Sequence, residues 1–180
     1  MVNLTKLKKH IVPEERLFLN GDVVLLPREL VYNINCYYWA LGILYQADSF
    51  LECTPGFTTG NLYTDSLNLI SSIETDLKNL NISFRKISIF EPLTVEDNEV
   101  LIKLFYYPPS GDFPHGDFHF IRQNKETGIW YHKPGINQVC CLEGSDNKKE
   151  NFAPDELIFT AENTKEVFKY YSLCYFALKK

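Results

Sequence analysis

Residues 117–133, DFHFIRQNKETGIWYHK, predict a β-hairpin that carries two of the four histidines of the chain. Aromatic and branched residues are frequent at both ends of this stretch, and the polar residues 124–128 between them end in glycine, which is typical of a hairpin turn. The turn centres between residues 125 and 126, so we expect His119 to lie directly opposite His132. Directly opposed residues project to the same face of a hairpin, and the two imidazoles are therefore predicted to lie side by side.

The segments around the hairpin predict helices followed by strands. Asn35 precedes the apolar run of residues 36–45 and is a helix start signal, and apolar residues with a spacing of about 3.6 predict a second helix at about 63–80. The later segments predict strands at 82–89, 99–107 and about 171–178, a polar surface loop at 144–151 and a short helix near 164–168. Helices that precede an antiparallel sheet define an α+β fold.

Length and composition predict one soluble domain. The chain has 180 residues and a mass of 20.9 kDa, so we expect residues 1–180 to form a single domain. Its 13 Phe, 11 Tyr and 2 Trp residues favour a strand-rich core. With 18 basic and 23 acidic residues, the chain has no overall positive charge for binding nucleic acid.

The sequence also predicts a compartment. No apolar run approaches the roughly 18 residues of a membrane span, and the N-terminal segment lacks the apolar core of a secretory signal. The five cysteines are odd in number and include no CxxC pair, which favours reduced thiols. We therefore expect a cytoplasmic protein without a membrane span, or one exported by a route that uses no conventional signal peptide.

The cysteines differ in their predicted surroundings. Cys36 lies in the first turn of a predicted helix, where unpaired N–H groups and the helix dipole lower a thiol pKa, so it is the candidate nucleophile. Cys140, Cys141 and Cys174 fall in strand-like segments and are predicted to be inert buried thiols. Cys53 lies in a loop with no clear role.

The histidine pair suits the chemistry of a thiol nucleophile. One imidazole would act as a base and the other would orient it, with His119 and His132 in these roles. Two alternatives are a polar pair on an exposed face and a zinc site formed with His115 and a cysteine. The spacing of these histidines is irregular and no second cysteine lies near them in sequence, which argues against zinc.

The order of these residues resembles that of papain-like cysteine peptidases. In that superfamily a cysteine begins the first helix, a histidine lies on a later strand and a second polar residue lies on the next strand. The Cys-His-His form is similar to the NlpC-like branch, whose two histidines lie about a dozen residues apart in one hairpin. The stretches that carry the resemblance are NCYYWALG at 35–42, Pro55-Gly56 and 117–135. Asn35 stands where NlpC-like enzymes usually have aspartate.

The resemblance implies a fold and a set of roles. The fold would be papain-like and NlpC-like, with N-terminal helices packed on an antiparallel sheet. Cys36 would be the nucleophile, His119 the base and then the acid, and His132 the group that holds His119 in its productive tautomer. The backbone N–H of Cys36, with the side chain of Asn35, would form the oxyanion hole. Asp117 and Asn137 remain alternatives to His132 as the third member.

The expected reaction is the hydrolysis of a peptide, isopeptide or side-chain amide through an acyl-thioester on Cys36. It requires no cofactor or metal, and the expected partner is a protein or peptide substrate of a monomeric enzyme. Two alternatives remain open: an acyltransferase or transglutaminase that uses the same triad, and a non-catalytic module that binds a protein partner. Export without a conventional signal would fit a host-directed effector.

Overall fold

The computed structural model describes residues 3–46, 50–142, 155–160 and 165–179. These residues form a mixed α/β fold with a large antiparallel sheet and few helices. The α+β class is therefore confirmed at this level. The surface loop predicted at 144–151 lies outside the described residues.

Four α-helices precede the main sheet in the described part of the chain. They are α1 (Leu4–Lys8), α2 (Arg28–Asn33), α3 (Cys36–Leu41) and α4 (Ser66–Asn79), and 3-10 turns lie at Glu14–Arg16 and Phe50–Cys53.

Helices α3 and α4 lie where the sequence predicts them, and each begins at a side-chain cap. The Asn35 side chain accepts hydrogen bonds from the first turn of α3, and Asp65 does the same for α4. Helix α3 is shorter than the apolar run of residues 36–45 because Gly42 adopts the left-handed conformation (φ 74°) that ends helices.

The described strands are β1 (Phe18–Leu19), β2 (Asp22–Val23), β3 (Ser83–Ser88), β4 (Glu99–Tyr107), β5 (Asp117–Gln123), β6 (Trp130–His132), β7 (Cys140–Cys141), β8 (Glu156–Thr160) and β9 (Val167–Lys179). Strands β1 and β2 pair separately. The seven-stranded antiparallel sheet has the order β3-β9-β4-β5-β6-β7, and β8 also pairs with β9.

Strand β9 is the longest of the described strands and has two partners along one edge. Its residues 174–179 pair with β3 and its residues 167–171 pair with β8, while β4 covers most of its other edge. The helix predicted near 164–168 is wrong at Val167 and Phe168, which belong to β9 because β8 supplies a hydrogen-bonding partner for them. Thr164 lies outside the described residues.

The hairpin of β5 and β6 forms, but its register differs from the predicted one by two residues. Ile121, rather than His119, lies opposite His132. A shift by an even number of residues keeps each side chain on its face of the sheet. His119 and His132 are therefore diagonal neighbours on one face rather than a directly opposed pair.

The turn explains this difference in register. The N–H of Asn124 donates to the carbonyl of Ile129 at 2.8 Å, and the side chain of Asn124 accepts from the N–H groups of Glu126 and Thr127. The turn therefore closes around residues 125–128, one position later than predicted. Such Asx-type bonds are local, but the strand pattern does not show which of several neighbouring polar residues will make them.

Alternate residues of β5 serve the two faces of the sheet. Phe118 and Phe120 pack into the core formed with α3 and α4, and the ring of Phe120 stacks on Tyr37 with centroids 4.9 Å apart. Ile121 belongs to a second apolar cluster on the opposite face, and His119 points to that face because residues two apart on a strand share a face.

A fully buried arginine fixes α3 on β5. Arg122 Nη1 donates to the carbonyl oxygen of Ala40 in α3, and Nη2 pairs with the carboxylate of Glu14. Hydrogen bonds to the buried Nη1 and Nη2 groups offset part of the cost of burying the guanidinium charge, so these contacts hold the helix in a defined position along the strand.

A buried carboxylate holds the loop after α3 in place. Asp76 of α4 is fully buried and accepts four hydrogen bonds, from the Tyr37 hydroxyl, the Gly56 N–H and both the N–H and hydroxyl of Thr58. Gly56 has φ 94°, and a Cβ at this position would lie 2.1 Å from the carbonyl oxygen of Asn61, so only glycine fits. Asp76 thus ties α3, α4 and this loop together.

Candidate active site

The two histidines of the hairpin form a hydrogen-bonded pair. His119 Nε2 lies 2.9 Å from His132 Nδ1, with the rings nearly perpendicular, and both side chains are buried. Phe159 of β8 contacts both rings, with centroid distances of 5.1 Å to His119 and 6.0 Å to His132. An aromatic ring thus shields the pair from water on one side.

Burial keeps both imidazoles uncharged at neutral pH. It lowers the pKa of His119 to about 3, with a further contribution from His132, and it lowers the pKa of His132 to about 4. A neutral imidazole has one ring nitrogen that accepts a proton and one that donates, so the pair can form a directed relay.

The geometry fixes which nitrogen of His119 could act as a base. Nε2 is occupied by His132, and Nδ1 makes no hydrogen bond within the described residues. For Nδ1 to accept a proton, the ring must carry its hydrogen on Nε2. His119 then donates from Nε2 to Nδ1 of His132, and His132 carries its own hydrogen on Nε2.

Cys36 lies near the end of the β5–β6 ladder and lines the same cavity as His119. The β5–β6 ladder ends at the pair of Ile121 and His132, so β6 leaves the next position of β5 uncovered. Cys36 is the first residue of α3, and the backbone N–H of Phe120, the next residue of β5, is close enough to act on its thiol. Cys36 is thereby brought beside the strand segment that carries His119.

The pKa of Cys36 differs from the expected direction. The helix start predicts a lowered value, but burial raises the pKa of Cys36 to about 12, and the charge of Asp117 adds to this increase. The hydrogen bond from Phe120 and the charge of Lys133 act in the opposite sense and are outweighed. Desolvation dominates because the thiol is almost completely buried, and α3 has only six residues.

The side chain of Asn35 is engaged at both ends. Its oxygen accepts from the N–H groups of Tyr37 and Tyr38 at 3.0 and 3.2 Å, and its Nδ2 donates to the Cys53 carbonyl oxygen at 2.9 Å. The backbone N–H of Cys36 makes no hydrogen bond within the described residues. The helix start therefore offers an unpaired N–H beside the thiol. The hydrogen bonds of Asn35 hold this helix start in place.

A cavity of about 320 Å³ joins the thiol and the base. Its polar lining residues are Asn35, Cys36, Asp117 and His119, and its aromatic lining residues are Phe113, Phe118, Phe159 and Tyr170. Pro134 and Gly135, which follow β6, complete the wall. His132 lies behind His119 and does not line the cavity.

A buried lysine supports the wall after β6. Lys133 is fully buried, and its Nζ donates to the carbonyl oxygens of Val31 at 2.8 Å and Gly135 at 2.5 Å. Burial lowers the pKa of Lys133 to about 8. These bonds link α2 to the segment that includes Pro134, and they place an ammonium group close enough to influence Cys36.

Neither of the two alternatives to His132 forms a hydrogen bond with His119. Asp117 lines the cavity, but its Oδ2 accepts a hydrogen bond from the Tyr170 hydroxyl at 2.6 Å. Asn137 is exposed in the loop after β6. Within the described residues, the only hydrogen-bond partner of the His119 ring is therefore His132.

The other cysteines line no part of this cavity. Cys53 and Cys174 are buried, and burial raises the pKa of each to about 12. The prediction of a buried thiol is correct for Cys174, wrong for Cys140, which is exposed, and only partly met by Cys141, which is half-buried. The reason is that β7, which contains Cys140 and Cys141, is a two-residue strand at the edge of the sheet.

Sequence reasoning missed Tyr170 and Phe159 as parts of this region. Phe159 lies in the short apolar run of residues 157–159, and Tyr170 falls between the helix predicted near 164–168 and the strand predicted from about 171. The long pairing of β9 with β8 and β4 carries them to the histidines, and no local signal records that pairing.

The described residues contain no group of three or more histidine, cysteine, aspartate or glutamate side chains placed to hold a metal ion. None of their helices combines the length and the apolar character that a bilayer crossing needs.

Comparison of the chain with protein families, with curated proteins and with solved structures finds no match.

The buried histidines make an acid-dependent loss of stability the expected result. Their folded pKa values lie below the ordinary value near 6.5, so their contribution is complete above pH 6.5 and is lost as the pH falls toward about 4, where the unfolded chain binds protons that the folded chain excludes. The loss is about 1.4 kcal/mol per pH unit for each histidine. Urea denaturation between pH 4.5 and 8 measures it.

Two variants separate this effect from general acid denaturation. A protein with both His119→Asn and His132→Gln should lose stability less steeply below pH 6.5 than the unmodified chain. His115→Gln removes an exposed histidine and should leave the slope unchanged. Parallel curves for the double variant and the unmodified protein would contradict the assignment of the slope to the buried pair.

Proposed function

We propose that the protein is a cysteine hydrolase that cleaves a peptide, isopeptide or side-chain amide through an acyl-thioester on Cys36. The observation that carries this proposal is the 2.9 Å bond between His119 and His132 at the wall of the cavity that Cys36 also lines. This arrangement supports a papain-like, NlpC-like fold, which we propose as the finer fold assignment.

The residues take distinct roles in the proposed reaction. The sulfur of Cys36 attacks the carbonyl carbon of the substrate, and Nδ1 of His119 takes the thiol proton. The carbon–nitrogen bond then breaks, and His119 gives the proton to the leaving amine. A water molecule that loses a proton to His119 attacks the thioester, which releases the carboxylic acid product and restores the thiol.

The neutral resting state is compatible with this scheme. Burial penalises a thiolate or an imidazolium formed alone, which is why the pKa values of Cys36 and His119 move apart. Proton transfer creates the two charges together, and opposite charges in a region of low dielectric constant attract strongly. The ammonium group of Lys133 and the N–H of Phe120 further favour the thiolate.

The oxyanion that forms on the substrate requires a hydrogen-bond donor. The free backbone N–H of Cys36 supplies it, since it lies at the start of α3 and beside the attacking sulfur. In this proposal Asn35 acts as a positioning residue, because its three hydrogen bonds fix the orientation of that N–H group.

Trapping the covalent intermediate tests the proposal. The protein is mixed with a pool of fluorogenic peptide amides, quenched in acid within seconds, and analysed by intact mass and peptide mapping. We expect an acyl adduct on Cys36 that hydroxylamine removes, as it removes thioesters, and no adduct in Cys36→Ala.

The matched control is Cys140→Ser, since Cys140 is the exposed thiol among the described residues. The adduct should persist in this variant. Turnover that continues in Cys36→Ala, or an adduct that maps to Cys140, would refute the assignment of the nucleophile.

A further inference from the structure

We infer that the cavity beside Cys36 selects substrates by a positively charged side chain, an alkylammonium or a guanidinium group, which pairs with Asp117. This inference rests on the proposed function, because it assigns a substrate class to the same site. Its basis is the combination of one carboxylate with several aromatic rings in the cavity wall.

Asp117 is the acidic residue of the cavity wall, and it lacks a cationic partner. The charged side chains that form ion pairs within the described residues do not include it. The hydrogen bond from Tyr170 at 2.6 Å orients the carboxylate through Oδ2 and leaves Oδ1 without a hydrogen bond from the described residues. A ligand donor can therefore complete the carboxylate.

The buried ammonium group of Lys133 does not neutralise Asp117 by contact. Lys133 is held by two carbonyl oxygens behind the wall that Gly135 forms, and it makes no ion pair with Asp117. The other titratable groups of the wall, the thiol of Cys36, the ring of His119 and the hydroxyl of Tyr170, are uncharged at neutral pH because burial opposes their charged forms. The wall therefore carries a net negative charge.

The aromatic rings favour the same kind of ligand. Phe113, Phe118, Phe159 and Tyr170 line the cavity, and Phe159 stands at a right angle to Tyr170 with centroids 5.4 Å apart. The face of an aromatic ring attracts a cation, and an ammonium group among several rings gains from each. An apolar side chain would contact the rings but would bury the carboxylate of Asp117 unpaired, which is unfavourable.

Matched substrates test the inference. Fluorogenic peptide amides that differ at one residue next to the cleaved bond, Lys against norleucine and Arg against citrulline, change the charge while they keep the shape. We expect kcat/KM for the charged member of each pair to be at least about tenfold higher. In Asp117→Asn the two members should differ by less than about threefold. Asp112→Asn removes an exposed acidic residue of the preceding loop and should preserve the preference.

The outcomes separate this inference from the proposed function. Turnover that depends on Cys36 but is equal for Lys and norleucine overturns the inference alone. If no peptide is cleaved, ligand binding to the Cys36→Ala protein tests the inference. Changes in the NMR signals of His119 measure this binding as n-butylammonium or n-butanol is added. If n-butylammonium binds more strongly than n-butanol and Asp117→Asn abolishes the difference, the result supports the inference independently of enzymatic activity. Equal binding of both probes overturns it.

Discussion

Alanine at position 119 is expected to lower kcat/KM by about 10² to 10⁴-fold, because His119 supplies both the proton acceptor for the thiol and the proton donor for the leaving amine. Cys36→Ala should remove turnover altogether, since no other described cysteine lines the cavity. Both losses are measured on the best substrate of the fluorogenic pool. His115→Ala, which removes an exposed histidine from the preceding loop, should retain full turnover.

His132 should behave differently from His119. Its Nδ1 lies 2.9 Å from His119 Nε2 but it does not line the cavity, so in the proposed function it acts as a positioning residue. His132→Gln keeps an acceptor within reach and should retain measurable turnover, whereas His132→Ala should lose more. The double variant with His119→Ala should be about as slow as His119→Ala alone, because residues of one relay do not act additively.

A second measurement separates positioning from a structural effect. The acid limb of the pH profile of kcat/KM should move in His132→Gln, because His132 contributes to the lowered pKa of His119. Circular dichroism establishes that each variant is folded. A His132→Ala protein with full activity would exclude His132 from the relay while leaving the roles of Cys36 and His119 in place.

Asp76→Ala is expected to lower the free energy of unfolding by on the order of 3–5 kcal/mol. The substitution leaves the Tyr37 hydroxyl and the N–H groups of Gly56 and Thr58 buried without an acceptor. These groups belong to α3 and to the loop after it, so the start of α3 should loosen as well. Urea denaturation at pH 7 measures the loss.

A neighbouring acidic residue on the same helix provides the control. Glu74 forms a partly exposed ion pair with Lys86 at 3.0 Å, and exposed pairs contribute little, so Glu74→Ala should cost less than about 1 kcal/mol. Asp76→Asn keeps the shape and one acceptor oxygen, so its loss in the free energy of unfolding should lie between those of Asp76→Ala and Glu74→Ala. Equal losses for Asp76→Ala and Glu74→Ala would contradict the structural role of the buried carboxylate.

Much of the fold could be predicted because local patterns agree with it. The strand predicted at 99–107 is β4, and the capping residues Asn35 and Asp65 begin α3 and α4. The start of β9 could not be predicted locally, because residues 167–168 become strand only through pairing with β8. Tertiary pairing overrides local preference in such segments.

The sequence predicts which residues form the candidate site better than it predicts their pKa values and burial. The pairing of His119 with His132 on one face survives the error in register because that error is an even number of residues. The pKa of Cys36 could not be predicted from a helix start, since it depends on how completely the surrounding chain buries the thiol. The burial of Asp76 is equally invisible in the sequence, because a distant loop supplies its donors.

The double partnership of β9 has a consequence for the biosynthesis of this protein. The ribosome adds β9 after every other described strand, yet β3, β4 and β8 all require it as a neighbour. Until those 13 residues emerge, β4 presents an open edge of a strand that is almost wholly buried in the native fold. Open apolar edges attract other chains, so the nascent protein should depend on protection by chaperones until synthesis of β9 is complete.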